Sequence, residues 1–483
     1  MRGPGRVVDR SVARSLAHAR PSFSSRTAER TGRCAGTRLT TNANSANDVD
    51  KLNSLQLWLE GLGSDFDACG VRLKRDDDDG FGVRGVAHGK SIARGSELVR
   101  VPREAFITAE VARSRLESLL FQQNDEKKSC AHELSDFQCL ELFLLCEKNL
   151  GGDSSWEPYL SSLPDMLEHP MLWHDFSILR RETQVGYHLL ERIDACRRDF
   201  EAFQTLQWSS GVKPKITEVD VRWATAILTS RAFHLSLAES DDDFDDGAEF
   251  LAKFNDLDED VWEPAGDDEN YSDGEMVLVP WADALNHSSE AGAQSVLTYS
   301  SSQRVALLAA HRDYEEGAQV FDSYGVNISA TECFINYGFV DTLSHQTDLL
   351  EFPGDVFLAA ATARGLKVAT ENVDFFAAIK IEETIFQLDP STGINEDTLF
   401  HVSEYFEEDS VDDSTILEIF RQLCSNKELA LTAIVSSRED VGIPPRRGSL
   451  TGRPALDYVL RLEHDAVRTL CTKIDEQLVA QSP

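Results

Sequence analysis

The most informative stretch of the sequence covers residues 279–287 and reads Val-Pro-Trp-Ala-Asp-Ala-Leu-Asn-His. An apolar, strand-like run here meets three polar side chains within five residues, namely Asp283, Asn286 and His287. Taken alone, His287 fits an ordinary hydrogen-bonded histidine of a core or a turn. No second histidine stands at helical metal-ligand spacing from it, and the stretch predicts no metal site.

Two tyrosine–glycine pairs follow this stretch. The first lies in Ser323-Tyr324-Gly325, and the second comes thirteen residues later in Tyr337-Gly338-Phe339. Each pair taken alone is typical of an aromatic residue that packs on a core beside a turn. Their significance therefore depends on the motifs that precede them.

Two short clusters lie upstream of the stretch. Asp79-Gly80-Phe81-Gly82 falls between two strand-like runs, where alternate glycines allow a tight turn and the close approach of a ligand to the backbone. A plain turn is the simpler explanation of that cluster taken alone. Ser230-Arg231-Ala232-Phe233 closes a helical pattern, and a lone serine–arginine pair is usually a surface feature.

The folded part of the chain begins with a helix and then short strands. Leucines 52, 55, 59 and 62 lie on one helical face, and strand-like runs follow at 71–74, 82–87 and 97–101. Residues 110–235 predict a group of helices, whereas the acidic stretch 237–275 predicts a solvated loop.

The remaining sequence predicts strands and then a long helical region. Residues 295–299 and 304–311 should pair as a hairpin, with Val305, Leu307 and Ala309 alternating on one face. From about 350 the pattern is helical and ends in an amphipathic helix. The predicted fold class is α+β. It comprises a mixed domain at about 50–345 with a helical insert at 110–235, then an all-helical domain at about 350–480.

The charge of the chain is strongly acidic and unevenly distributed. The 483 residues include 83 acids and 47 bases, for a net charge of −36, yet residues 1–46 carry nine arginines and two acids. A body this negative repels nucleic-acid phosphate, so we expect no nucleic-acid partner. It would steer basic, lysine-bearing proteins toward itself, although solubility alone also explains such a charge.

The first 46 residues have the composition of an import signal. They are rich in arginine, serine and alanine, and Arg2, Arg6, Arg10 and Arg14 recur every four residues along one helical side. We therefore expect a disordered targeting segment and an organellar location, in a mitochondrion or a plastid. A basic tail on a cytoplasmic or nuclear protein is the alternative.

Cysteine usage and hydropathy predict a soluble protein in a reducing compartment. The nine cysteines are scattered, and no Cys-x-x-Cys pair occurs, which argues against a disulfide scaffold or a structural zinc. No stretch approaches the roughly 18 apolar residues that span a membrane, so we expect no membrane partner.

Together and in this order, the clusters resemble the SET-domain methyltransferases of the Rubisco large-subunit lysine methyltransferase type. The similarity includes Trp156-Glu157-Pro158-Tyr159-Leu160, Leu163-Pro164, Pro170 and Trp173, and it spans roughly 52–480. The family has a small knotted β-structure with a helical insert, followed by a helical domain that binds the protein substrate. The resemblance implies that S-adenosylmethionine is the cofactor, that a protein lysine is the target, and that the chain acts as a monomer.

The resemblance also carries over site residues. The active-site tyrosine corresponds to Tyr324, while Arg231 and Tyr299 match positions that line the pocket for the cofactor and the target residue. Cofactor contacts correspond to Asp79, Gly80, Phe81, Ser230, Asp283, Asn286, His287 and Tyr337. Tyrosine is mostly protonated at neutral pH, so Tyr324 suits holding the polarised methyl group by C–H···O contacts better than it suits general base catalysis.

The sequence departs from the family pattern at three points and leaves alternatives open. Ser329-Ala330 stands where the family commonly has Ser-Asn, Asp79 replaces a longer acid, and the acidic stretch lengthens the link between Ser230 and Asp283. One alternative is a catalytically silent SET-fold binding module. Another is a protein-histidine methyltransferase, because one branch of the family methylates a histidine of actin.

Overall fold

The computed structural model describes residues 45–76, 82–120, 130–164, 168–209, 213–237, 274–288, 297–325, 328–342, 349–368, 381, 384–407, 411–436 and 449–481. They form two compact units: the first takes the described residues up to 164 and 199–325, and the second takes 168–198 and 328–481. The predicted targeting segment up to residue 44, the cluster Asp79–Phe81 and most of the acidic stretch lie outside the described residues.

The described helices of the first unit are α1 (Ser45–Gly61), α2 (Phe66–Cys69), α3 (Ala109–Leu119), α4 (Asp136–Leu150), α5 (Glu157–Leu160) and α7 (Glu218–Arg231), whereas α6 (Gln184–Thr205) contains the boundary between the units. Four helices of the first unit, α2, α3, α4 and α7, begin at a side chain that caps the helix. Ser135 and Gln138 form a capping box at the start of α4, and Thr217 and Asp220 form one at the start of α7. Each box satisfies backbone N–H groups that a helix start leaves without partners.

Three small sheets complete the first unit. Their orders are β1-β2-β10-β7, β3-β9-β8 and β4-β6-β5. The strands are β1 (Val71–Asp76), β2 (Gly82–Ala87), β3 (Glu97–Pro102), β4 (Ile107–Thr108), β5 (Ala232–Leu235), β6 (Glu275–Leu278), β7 (Asn286–His287), β8 (Thr298–Ser300), β9 (Val305–Ala309) and β10 (Gln319–Asp322). Among the described strands, only β7 and β10 pair in parallel, with Phe321 opposite Asn286 and Asp322 opposite His287.

Gly85 allows the sheet to pack against the chain that leads into β7. A Cβ atom at this position would lie 2.4 Å from Leu285 Cδ2 and 2.8 Å from Val320 Cγ2. A side chain cannot fit at these distances unless its neighbours shift. The absence of a side chain at Gly85 therefore determines how closely Leu285, next to Asn286, approaches β2.

Gly85→Ala should lower the free energy of unfolding by about 1–3 kcal/mol, because the added methyl group overpacks this contact. Urea unfolding monitored by tryptophan fluorescence measures the change. Gly61→Ala is the matched control, since a Cβ atom at Gly61 would meet nothing within 4 Å. Equal stabilities of the two variants would contradict the role assigned to Gly85.

The second unit is built mainly from helices. They are α8 (Ala330–Tyr337), α9 (Gly354–Ala363), α10 (Glu396–Ser403), α11 (Asp413–Ser436) and α12 (Gly452–Gln481). Two antiparallel strand pairs accompany them, β11 (Phe339–Asp341) with β14 (Ser449–Thr451) and β12 (Leu350–Pro353) with β13 (Ile385–Leu388). An aromatic core contains Phe357, whose ring centroid lies 4.7 Å from that of Phe420 and 5.4 Å from that of Phe386.

The α+β fold class predicted from the sequence is confirmed, with two differences in detail. The predicted hairpin forms between β8 and β9, but all five residues of β9 are buried rather than alternate ones. Its apolar run is typical of a strand that is covered on both faces. The region after 350 is mostly helical, yet it also contains β12, β13 and β14.

The predicted domain bounds stay a prediction. The compact unit that contains the last helices also takes residues 168–198 and 328–342. Compactness alone does not define a segment that folds independently.

Candidate active site

The stretch that leads into β7 is buried and bent. Trp281 is 1% exposed, has a φ of 76° and stacks on Phe66 with ring centroids 4.6 Å apart. A positive φ is costly for a bulky residue and persists only where the surrounding structure holds it in place. The 3₁₀ turn Ala282–Ala284 follows and delivers the chain to Asn286. Packing therefore fixes the path of the backbone just before the Asn-His pair.

Asp283 is the centre of a buried polar group. Its side chain is 2% exposed, and Oδ2 accepts a hydrogen bond of 2.8 Å from the hydroxyl of Tyr159. Arg231, in the last turn of α7, donates from Nη1 to the backbone oxygen of Asp283 at 2.8 Å and lies 3.5 Å from Oδ2. Burial raises the pKa of Asp283, and the guanidinium of Arg231 opposes that rise. The group thus links α5 and α7 to the stretch before β7.

His287 and Tyr324 hold each other in position. The backbone N–H of Tyr324 donates to His287 Nδ1 at 3.1 Å, and the two ring centroids are 5.2 Å apart. The hydroxyl of Tyr324 donates to the backbone oxygen of Leu285 at 2.8 Å. In a neutral His287, Nδ1 is then the acceptor and the proton resides on Nε2. Tyr324 is therefore fixed at both its backbone and its hydroxyl.

The parallel pairing of β7 with β10 brings these residues together. It places Asn286 and His287 beside Phe321 and Asp322, and the N–H of Ser288 donates to the backbone oxygen of Asp322 at 3.1 Å. Tyr324 follows two residues after the end of β10. Three of the predicted site residues, Asn286, His287 and Tyr324, thus share one place in the fold, although more than thirty positions separate Tyr324 from the Asn-His pair.

The remaining predicted site residues are Ser230, Tyr299, Tyr337 and the cluster Asp79–Phe81. The hydroxyl of Ser230 donates to Ala226 within its own helix at 2.6 Å, and Tyr299 on β8 makes an edge contact with Phe106 at 5.9 Å. Tyr337 belongs to the second unit, where it ends α8 and lies 6.1 Å from the ring of Phe339. Asp79, Gly80 and Phe81 lie outside the described residues, and their roles stay predictions.

The departure at Ala330 is accommodated by the helix start. Ser329 caps α8, where it forms a capping box with Glu332, and Ala330 is the buried first residue of the helix. Alanine has high helix propensity, so the substitution keeps α8 well formed.

Comparisons with known proteins complete this picture. No family model matches the chain. The chain superposes on the solved structure of Rubisco LSMT bound to AdoMet with a TM-score of 0.58 and 17% identity, covering 89% of this chain and 92% of that one. The chain has the SET-domain fold.

Curated sequences agree with this assignment of the fold. Protein SET DOMAIN GROUP 40 of Arabidopsis thaliana is 25% identical over 57% of this chain and 53% of its own length. The actin-histidine N-methyltransferase of Danio rerio is 22% identical over 60% of this chain and 42% of its own. The chain spans about half the length of these curated relatives.

Two buried residues of the site, Tyr159 and Asp322, were not predicted from the sequence. Tyr159 lies 124 positions before Asp283 yet donates to its carboxylate. In the sequence it is part of the Trp-Glu-Pro-Tyr-Leu motif. Asp322 directly precedes Ser323-Tyr324-Gly325, is 1% exposed, and accepts a hydrogen bond of 2.8 Å from the N–H of Ser323. A carboxyl group at the end of an apolar strand was the signal that could have identified it.

Asp322→Asn should make the stability of the protein less dependent on pH. Burial raises the pKa of Asp322 to about 8, so folding favours the protonated carboxyl. Its contribution is fully present below the usual pKa near 4 and is lost as the pH rises toward 8, by about 1.4 kcal/mol for each pH unit. Asparagine cannot ionise, so the variant should gain stability over wild type between pH 5 and 8.

Thermal unfolding of both proteins across that pH range measures the difference. Ser323→Ala is the control, because it keeps both the carboxyl group and the backbone N–H that bonds to it. Parallel stability profiles of wild type and Asp322→Asn would contradict the buried, protonated carboxyl.

Within the part of the chain that the structure describes, no group of three or more histidine, cysteine, aspartate or glutamate side chains could hold a metal ion. Over the same residues, no helix is long and apolar enough to cross a bilayer.

Proposed function

We propose that this SET-domain protein transfers a methyl group from S-adenosylmethionine to a lysine side chain of a protein substrate. One observation carries the proposal: the Tyr324 hydroxyl is fixed on the backbone of the same Leu285-Asn286-His287 segment whose histidine anchors the tyrosine backbone. Solved neighbours with this fold hold AdoMet, or AdoHcy with lysine.

The donor set of this segment fits the cofactor. Asn286 offers an amide group, and the neutral ring of His287 retains an N–H on Nε2 because Nδ1 accepts from Tyr324. A few well-placed polar groups on rigid backbone are typical of nucleotide-like ligand sites. We therefore assign Asn286 and His287 to cofactor binding, with Ser230 and Asp283 as further candidates.

The chemistry requires positioning more than proton transfer. When bound, S-adenosylmethionine supplies an electrophilic methyl group on a sulfonium centre. The residues must align the neutral amine of the substrate with it and exclude water, which removes much of the entropic barrier. The Tyr324 hydroxyl donates a hydrogen bond to the backbone oxygen of Leu285, so its oxygen lone pairs remain available for C–H···O contacts with the methyl group. The amine must lose its proton first, and an apolar channel favours the neutral form.

Histidine is the second candidate target. It is favoured by the several curated relatives, from Danio rerio and Rattus norvegicus among others, that are named actin-histidine N-methyltransferases. Lysine is favoured by the solved neighbour that holds sinefungin with monomethyllysine. Both targets use the same donor and the same alignment, so the product peptide must distinguish them.

The distribution of charge supports a proposal for the substrate surface and for the location of the protein. The net charge of −36 favours a protein target with a basic surface. The arginine-rich first 46 residues favour import into a mitochondrion or a plastid. We propose that the chain acts there as a monomer.

The test is transfer of radiolabel from S-adenosylmethionine into a lysate of the source cell, with Tyr324→Phe as the inactive control. We expect at least one labelled protein that depends on the wild-type chain. Mass spectrometry of the labelled peptide then separates lysine from histidine. Bound cofactor without any labelled protein would overturn the enzymatic proposal and favour the silent binding module.

A further inference from the structure

Two long helices of the second unit, α11 and α12, pack side by side in opposite directions. Arg421 Nε lies 2.7 Å from Asp475 Oδ1, and further along α11 Lys427 Nζ lies 2.8 Å from Glu463 Oε1. Residue numbers thus rise along one helix as they fall along the other. These contacts place residues near 424 on α11 opposite residues between 463 and 475 on α12.

Cys424 and Cys471 meet in that interval. The Sγ atom of Cys471 lies 3.4 Å from Arg421 Nη1 and 3.9 Å from Glu428 Oε2. Arg421 and Glu428 lie three residues before and four residues after Cys424, which places them on the same side of α11. The thiol of Cys471 therefore lies over the helical turn that contains Cys424. Both cysteines are free thiols and are buried, Cys424 completely and Cys471 with 6% exposure.

The two thiols differ in how readily they ionise. A hydrogen bond between them raises the pKa of Cys424 and lowers that of Cys471. The guanidinium of Arg421 also lowers the pKa of Cys471, against burial and the carboxylates of Glu428 and Asp475. Of the two thiols, Cys471 therefore ionises more readily and is the better nucleophile.

Three buried thiols of the first unit differ from Cys471 in the direction of their pKa shift. Burial is the largest influence on Cys69, Cys139 and Cys146, and it raises their pKa values to about 12, 11 and 12. A thiolate rather than a thiol is the nucleophile in disulfide exchange. Reactivity toward oxidants should therefore be much greater at Cys471 than at these three residues.

We propose that Cys424 and Cys471 form a redox modification site that reacts with a small-molecule disulfide and closes a reversible disulfide bond between α11 and α12. Cys471 loses its proton, and the thiolate attacks one sulfur of the small disulfide, which forms a mixed disulfide and releases one small thiolate. Cys424 then loses its proton and attacks the Cys471 sulfur, which releases the second small thiolate. The two cysteines give up two electrons in total, and the small disulfide is reduced to two thiols.

The bond would stabilise the helix pair under oxidising conditions. A disulfide restricts the unfolded chain, so the oxidised protein should unfold at a higher temperature than the reduced one. In reducing surroundings excess thiol reopens the bond, which suits a transient modification rather than a permanent crosslink.

The experiment uses the full-length reduced protein and glutathione disulfide as the probe. Samples are quenched, alkylated under denaturing conditions and mapped by peptide mass spectrometry. In wild type we expect the peptides of Cys424 and Cys471 to become linked. In Cys424→Ser the reaction should stop at one glutathione on Cys471, whereas in Cys471→Ser position 424 should remain a free thiol.

Cys146→Ser is the matched control, because it removes a buried thiol of the first unit and should leave the link intact. Circular dichroism confirms that each variant is folded, and Cys424→Ala gives the same test if serine disrupts the helix. Free thiols at both positions, at a glutathione ratio that oxidises exposed dithiols, would overturn the proposal. Preferential reaction at Cys424, or equal reaction at Cys146, would overturn it as well.

Discussion

Tyr324→Phe should reduce the rate of methyl transfer by about 100- to 1000-fold and leave the affinity for S-adenosylmethionine nearly unchanged. The ring of phenylalanine keeps its contact with His287, and the backbone N–H keeps its bond to Nδ1. Only the hydroxyl that donates to Leu285 is lost. Because that oxygen is assigned to the transferring methyl group, kcat falls while cofactor binding persists.

Initial rates of label transfer measure the effect, and calorimetric titration of S-adenosylmethionine measures binding. Tyr314→Phe is the matched control, since the Tyr314 hydroxyl bonds to His311 Nδ1 at 3.0 Å in a neighbouring part of the first unit. It should cost about 1 kcal/mol of stability and leave turnover intact. A Tyr324→Phe enzyme with the wild-type rate would remove Tyr324 from the mechanism.

Arg231→Met should lower the free energy of unfolding by about 3–5 kcal/mol at neutral pH. The substitution leaves the Asp283 carboxylate, 2% exposed, with only the hydroxyl of Tyr159 as a described side-chain partner. It also removes the donor to the backbone oxygen of Asp283. An unpaired buried charge accounts for most of the loss.

The pH dependence separates this explanation from a simple packing defect. Burial already raises the pKa of Asp283, and removal of Arg231 takes away the main influence that lowers it. A carboxyl with a raised pKa is stabilising when protonated and loses that contribution as pH rises. The deficit of Arg231→Met should therefore be small near pH 4 and full near pH 8.

Urea unfolding at both pH values measures the deficit. The double variant Arg231→Met with Asp283→Asn should recover much of it, because no buried charge then remains. A deficit that is the same at both pH values and is not rescued would show that lost packing, not charge, is the cause.

Local patterns predicted the regular elements well. The leucine spacing after residue 52 appears as α1, and the runs at 71, 82 and 97 appear as β1, β2 and β3. Short-range periodicity and turn residues carry this information in the sequence itself. The final helix likewise buries Leu456, Leu460 and Val467 along one face.

Such short-range patterns did not predict the contacts between residues far apart in the chain. β7 has two residues, and nothing in its composition indicates a parallel pairing with β10. The bond between Tyr159 and Asp283 joins a helical insert to a loop far along the chain. Propensity describes neighbours in sequence, whereas these contacts depend on tertiary packing.

The candidate site was predicted only in part from the sequence. The order of the short motifs pointed to Asn286, His287 and Tyr324, and the parallel pairing of β7 with β10 brings the three together. Asp322 was missed because a strand-terminal aspartate is ordinarily an exposed turn residue. Burial, which only the fold reveals, gives Asp322 its raised pKa.

The most direct test of the central claim is a crystal structure of the protein with S-adenosylhomocysteine. We predict ligand density against Asn286 and His287, with the sulfur facing the hydroxyl of Tyr324. Density at a surface remote from these three residues, or none at saturating ligand, would contradict the assignment of this site to methyl transfer.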